Sequence, residues 1–156
     1  IGLASQTAHP RLSVIGRKRG ADVLRPLSPE HPDDETFEGL LIVRPEGRLY
    51  FANARYLEDR IYALIAEQPE IRDVVLMCPA VNDIDISALE SLEAINHRLA
   101  AANVRFHLSE VKGPVMDALK KAHFLTDLSG KVYLSQHQAV KEITRNQQRE
   151  LDGYVI

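Results

Sequence analysis

The sequence predicts an α/β fold, a small mixed β-sheet of about five strands flanked by helices. Strand-like and helix-like segments alternate after residue 50, which calls for parallel neighbours joined by right-handed crossovers. Val74-Val75-Leu76-Met77 is apolar on both faces, as a central strand covered on two sides must be. Residues 39–51 read as a β-hairpin, which adds an antiparallel part to the sheet.

Taken in order, residues 1–10 show no apolar period and are expected to be a flexible lead-in. The folded domain is expected over residues 11–145, followed by a polar tail over 146–156 in which Asn146-Gln147-Gln148-Arg149-Glu150 frays. Arg11-Leu12-Ser13-Val14-Ile15-Gly16 alternates weakly and carries β-branched side chains, the pattern of a short strand. The basic cluster Arg17, Lys18 and Arg19 follows it. Pro26, Pro29, Pro32 and the acidic run Asp33-Asp34-Glu35 oppose regular structure, so residues 26–35 read as a long, solvated surface loop. In the hairpin, residues 39–44 form one strand, Pro45-Glu46-Gly47 the turn and Arg48-Leu49-Tyr50-Phe51 the returning strand.

Asn53 is the expected cap of a helix whose Ala54, Leu57, Ile61, Leu64 and Ile65 form one stripe, and Pro69 rules out continuation. After the central strand a second helix carries the stripe Leu89, Leu92, Ile95, Leu99 and Ala102. Val104-Arg105-Phe106-His107-Leu108 alternates as a strand. Pro114 suits the first position of a third helix, with Val115, Ala118, Leu119 and Ala122 on its buried side. Lys131-Val132-Tyr133-Leu134 is the last strand. Ser135 and Gln138 form a capping box that opens a final helix through Ala139, Val140 and Ile143.

The segment Val81-Asn82-Asp83-Ile84-Asp85-Ile86-Ser87-Ala88-Leu89-Glu90 joins the central strand to the second helix through a carboxylate-rich turn, and it is the expected working surface. Ser87 followed by Glu90 reads as a capping box, which starts the helix at Ser87. Ser87 is also a candidate phosphorylation site, although capping alone explains a serine there. Asp83 and Asp85 are ordinary turn-formers beside a helix N-terminus or, with Glu90, an acidic lip built for a partner.

Composition narrows the function. A chain of 156 residues fits one domain and needs no crosslinks to hold a core. The single cysteine, Cys78, cannot form an internal disulfide, which points to a reducing compartment and to a packing role rather than a reactive thiol. The longest apolar run, residues 74–81, contains Pro79 and falls far short of the roughly 20 residues of a membrane helix. A net charge of −3 and the absence of tryptophan do not describe a nucleic-acid module. The sequence lacks phosphate loops, zinc-binding helices and nucleophile elbows, and its 6 histidines are scattered. His31-Pro32-Asp33-Asp34-Glu35 has ligand chemistry without a second nearby histidine, so no metal site and no catalytic residue is assigned. The chain begins at Ile1, as expected for a piece of a longer product.

Four blocks carry a resemblance. They are Asp22-Val23-Leu24-Arg25-Pro26-Leu27, His31-Pro32-Asp33-Asp34-Glu35-Thr36, Arg44-Pro45-Glu46-Gly47-Arg48-Leu49-Tyr50-Phe51-Ala52-Asn53-Ala54, and the turn Asp83-Ile84-Asp85-Ile86-Ser87-Ala88. Over residues 11–143 the chain resembles the STAS domain, and more closely the C-terminal STAS domain of SulP-family anion permeases. The resemblance implies a non-catalytic regulatory and interaction domain, with no cofactor, on the cytoplasmic side of the cell membrane. Its implied partners are the transmembrane domain of a sulfate, bicarbonate or dicarboxylate transporter and, alternatively, a soluble cytoplasmic protein, with self-association as a dimer left open. Were a membrane helix to precede Ile1, Arg17, Lys18 and Arg19 would lie near the inner leaflet. In the stand-alone branch, the anti-sigma-factor antagonists, a phosphorylatable serine directly follows the turn aspartate. Here Ile86 follows Asp85 and Ser87 comes one place later, which favours the permease branch. The alternatives are a partner-switching protein regulated at Ser87 and, more weakly, a nucleotide-binding module, which no phosphate loop supports.

Overall fold

A computed structural model describes residues 12–46 and 51–153, apart from the side chains of residues 51–53. The expected lead-in at residues 1–10 lies outside the described residues. Six strands form one sheet: β1 (Leu12–Arg17), β2 (Leu24–Pro26), β3 (Leu40–Pro45), β4 (Asp73–Met77), β5 (Arg105–Ser109) and β6 (Val132–Tyr133), in the order β2-β1-β3-β4-β5-β6. β1 runs antiparallel to both β2 and β3, whereas β3 to β6 are mutually parallel. Five described helices flank the sheet: α1 (Phe51–Glu67), α2 (Ile86–Ala101), α3 (Gly113–Lys121), α4 (Phe124–Asp127) and α5 (Gln136–Gly153).

Alternation along the strands divides the core in two. Leu41, Val43, Val74, Leu76, Phe106 and Leu108 point to one face, where they pack with Leu57, Ile61, Leu92, Ile95, Val115 and Phe124 from α1 to α4. Ile15, Leu40, Ile42, Val75, Met77 and Tyr133 point to the other, where α5 covers them through Ala139 and Ile143 and Phe37 packs beside it. On this second face β5 presents His107 and Ser109, both buried, so α5 must meet polar as well as apolar side chains. Ser109 donates to Oε1 of Gln136 at the helix start. Asp73 and Gly39 accept from Gln147 at 2.8 and 3.0 Å near its end.

Several sequence expectations need correction. The sheet has a sixth strand, β2, which no expectation covered and which ends on Pro26, the first residue of the stretch read as a loop; Pro26, which has no N–H, is tolerated because it ends an edge strand. Of the expected returning strand, Arg48, Leu49 and Tyr50 lie outside the described residues, while Phe51 opens α1. The antiparallel partner of β3 is β1, with Val14 opposite Val43. Asn53 lies inside α1 and does not precede it. The segment from Asn146 to Glu150 does not fray: α5 continues to Gly153 because Gln147 is tied to Asp73 and Glu150 to Arg105. The acidic loop is also less solvated than expected, since Asp34 accepts from Arg25 through both oxygens at 2.7 Å, which holds its carboxyl below the usual range. Ala102 and Ala122, placed on buried stripes, are exposed at helix ends. Of the second capping box the serine half is present, with Ser135 Oγ accepting from the Gln138 N–H at 3.1 Å.

Candidate functional site

The strand-to-helix turn sits at the C-terminal end of β4, the edge of a parallel sheet where crossover loops converge. The Cys78 N–H donates to the Ser109 carbonyl at 2.9 Å, which extends the β4–β5 pairing by one residue. Val81 is buried and its N–H closes a turn onto the Cys78 carbonyl at 3.2 Å. The chain then surfaces, so that Asn82, Asp83, Asp85, Ile86 and Glu90 are all exposed.

Asp85 and not Ser87 caps α2. Its backbone is extended (φ −90°, ψ 171°) and its Oδ1 accepts from the Ala88 N–H at 2.7 Å. The helix therefore begins at Ile86, and Ser87 lies within the first turn, half-buried. The expected capping box fails because an aspartate two places earlier reaches the free amide first, and its charge suits the helix N-terminus better than a hydroxyl does. Glu90 is exposed and, among the described residues, does not bond back to Ser87.

The surface beside the cap is a groove. About 260 Å³ lies between the start of α2 and the flank of α3, lined by Ile84, Asp85, Ile86, Leu89, Ala118, Lys121 and Ala122. Ile86 is 80% exposed, a large apolar side chain standing off the buried stripe of its helix. Lys112 Nζ bonds Asn82 Oδ1 across the turn. The lip is thus less purely acidic than the sequence suggests, because Lys121 lines the groove with Asp85 and Lys112 reaches Asn82 of the turn. With the helix expected to start at Ser87, Ile86 had no place on it; Ala118 and Lys121 come from another helix and left no local signal.

Arg17, Lys18 and Arg19 are not part of this surface. The pairing of Leu12 with Pro45 puts the start of β1 at the turn end of the sheet, so Arg17 falls at the opposite end. The Arg17 guanidinium lies 5.3 Å from the Phe37 ring centroid, while Lys18 and Arg19 are exposed in the β1–β2 connection.

A third cluster escaped the sequence reading. Asp73, 1% exposed, accepts from Arg105 Nε and Nη2, His107 Nε2 and Gln147 Nε2 at 2.8, 3.0, 2.7 and 2.8 Å. Burial works to raise its carboxyl pKa, but the hydrogen bonds from His107, Arg105 and Gln147 outweigh it and hold the group at about 2. The His–Asp pairing resembles part of an acid–base relay, yet His107 Nδ1 is taken by the Lys131 N–H at 3.0 Å and the ring is 4% exposed. The cluster fastens α5 to the sheet. Among the described residues no group of three His, Cys, Asp or Glu side chains is placed to hold a metal ion.

The model of the STAS domain matches residues 31–139, most of the chain. The chain belongs to the STAS domain family. High affinity sulfate transporter 2 of Stylosanthes hamata is 30% identical over 146 residues, which is 86% of this chain and 22% of that protein. This STAS domain thus spans about a fifth of the length of the curated relatives it matches. The murine Slc26a9 anion transporter in its inward-facing state shares the fold with a TM-score of 0.76 at 18% identity, over 92% of this chain and 24% of the other. The SulP transporter STAS domain from Vibrio cholerae matches with 0.59 at 21%, over 77% and 92%. An anti-sigma factor antagonist of Thermotoga maritima, described as putative, matches with 0.63 at 17%, over 70% and 92%. Among the described residues no helix is long and apolar enough to cross a membrane.

Proposed function

We propose that this STAS domain is the non-catalytic regulatory and docking module of a SulP-type anion transporter, set on the cytoplasmic side of the membrane. Its β4–α2 turn would engage the transmembrane domain or a soluble partner. The observation that supports this most is Ile86, an isoleucine left in solvent beside an apolar groove that Asp85 and Lys121 also line. An exposed apolar side chain over a groove with a polar rim is the anatomy of a contact centre. Kinship to sulfate transporters supplies the context.

The test is Ile86→Ser combined with Asp83→Asn, which leaves the Asp85 cap intact. The isolated domain should melt within about 0.5 kcal/mol of the parent, because both side chains are exposed. Anion uptake by the full-length variant in reconstituted vesicles, at matched protein level, should change. Unaltered uptake over a range of salt would overturn the docking reading.

A second reading, partner switching controlled by phosphorylation at Ser87, draws on the fold shared with anti-sigma factor antagonists. Ser87 stands in the first turn of α2, where a phosphate would meet free helix amides. Asp85 already occupies the Ala88 amide, which weighs against this reading. Phosphate incorporation lost in Ser87→Ala would support it.

A further inference from the structure

Along the solvent side of α5, His137, Lys141, Arg145 and Arg149 recur at every fourth position and all are exposed. Residues four apart on a helix are neighbours, so Lys141 beside Arg145 and Arg145 beside Arg149 oppose helix formation. The helix has carboxylates, but Glu142 faces Lys131 and Glu150 faces Arg105. Among the described residues no carboxylate pairs with Lys141, Arg145 or Arg149. This row stands on a chain whose net charge is −3, so it is a local excess against the overall sign.

Beside the row, a groove of about 840 Å³ separates α5 from the β1–β2 hairpin. Leu24 and Val140, half-buried and packed against the core beneath, give it an apolar floor, and Arg17 and Thr144 also line it. Asp22 is the one acidic residue among those that line it, and the Asp22 carbonyl is bonded to His137 Nε2 at 3.1 Å. Stacking on Phe37 holds Arg17 in place, and the exposed Lys18 and Arg19 continue the basic surface at the hairpin tip.

We propose that this groove docks an acidic, amphipathic peptide segment of a partner protein, with carboxylates on the Lys141–Arg145 row and an apolar side chain on the Leu24–Val140 floor. The concave shape decides between a peptide and a membrane. A bilayer is flat on this scale and would meet the rim charges but not the floor, whereas a peptide reaches both. The proposal goes beyond the docking turn and is independent of it, since the two surfaces involve different elements and different ends of β1.

The test is fluorescence anisotropy of the 156-residue chain with a fluorescein-labelled peptide of Glu and Leu in helical amphipathic spacing, and with its Lys and Leu counterpart. The acidic peptide should bind, with affinity falling as salt rises, and the basic one should not. Lys141→Glu with Arg145→Glu should weaken binding by about tenfold or more. This variant should keep its fold, because the two new carboxylates repel each other no more than Lys141 and Arg145 do and each gains a basic neighbour, His137 or Arg149. Arg60→Glu with Lys120→Glu makes the same change in net charge on the other side of the sheet and should retain binding within about twofold. No binding of the acidic peptide at low salt would overturn the proposal, and so would equal loss in both variants. Capture of phosphatidylserine vesicles through Lys141 and Arg145 without peptide binding would assign the surface to a membrane instead.

Discussion

His107 donates from Nε2 to Oδ1 of Asp73 at 2.7 Å, and both groups are sealed between the sheet and α5. The Lys131 N–H donates to Nδ1 of the same ring, so the ring's single proton belongs on Nε2. Asp73 is consequently a buried anion held by three side chains from β5 and α5. Its carboxyl lies at about 2 in the fold and returns to about 4 on unfolding. A depressed carboxylate contributes stability above its unfolded value, and that stability is lost as pH falls through its folded value. Denaturant melts should therefore lose about 2 kcal/mol between pH 5 and pH 2 from this group. Asp73→Asn should flatten that dependence and cost about 3 kcal/mol near neutrality, because Arg105 is left with the exposed Glu150 alone. An unchanged acid limb in the variant would place the acid sensitivity elsewhere.

Gly130 fits against this pair. A Cβ there would meet Nδ1 of His107 and the Phe106 carbonyl, and the backbone carbonyl cannot move without breaking the β5 edge. Gly130→Ala should cost about 3 kcal/mol, at the upper end for an overpacked site. Chemical denaturation would show it, and a loss below about 0.5 kcal/mol would mean the loop shifts freely.

The cap of α2 is open to a direct comparison. Asp85→Ala should cost about 1 kcal/mol, Asp85→Asn much less because asparagine also accepts from the Ala88 amide, and Ser87→Ala almost nothing. If Ser87→Ala proved the costlier alanine change, the helix would start where the sequence pattern puts it.

These residues show what a sequence makes legible. The strand β4 and the helices α1, α2 and α3 were visible because their burial is apolar and local, as at Val74 to Met77 or Leu89, Leu92 and Ile95. The far half of α5 was not, since it is held by Gln147 and Glu150 to partners remote in sequence, and polar burial leaves no hydrophobic period. Strand β2 is only Leu24–Pro26 and carries a proline, so no alternation could emerge. The turn was located correctly, but its cap shifted by two residues because Asp85 and Ser87 both offer a suitable oxygen and only backbone geometry chooses between them. The groove under Ile86 needed α3 beside α2, a pairing that tertiary packing supplies.

Cys78 gives the last prediction, and it turns on access as much as on acidity. The thiol is 4% exposed at the end of β4, and its Sγ lies 3.5 Å from the Leu76 carbonyl. Burial, with a smaller contribution from Glu110, pushes its pKa up to about 12. At pH 8 the thiolate fraction is then about one in ten thousand, and a disulfide reagent must also displace the packing of Val81 and Leu76 to reach it. Native chain should therefore react with an aromatic disulfide reagent only through opening of the C-terminal end of β4, a central strand paired on both sides, at a rate that rises with added denaturant in step with unfolding. Cys78→Ala should cost about 1 kcal/mol through lost packing and leave the turn surface intact. A single thiol labelled within seconds under native conditions would show that β4 opens locally, and would make Cys78 a reactive group instead of a core residue.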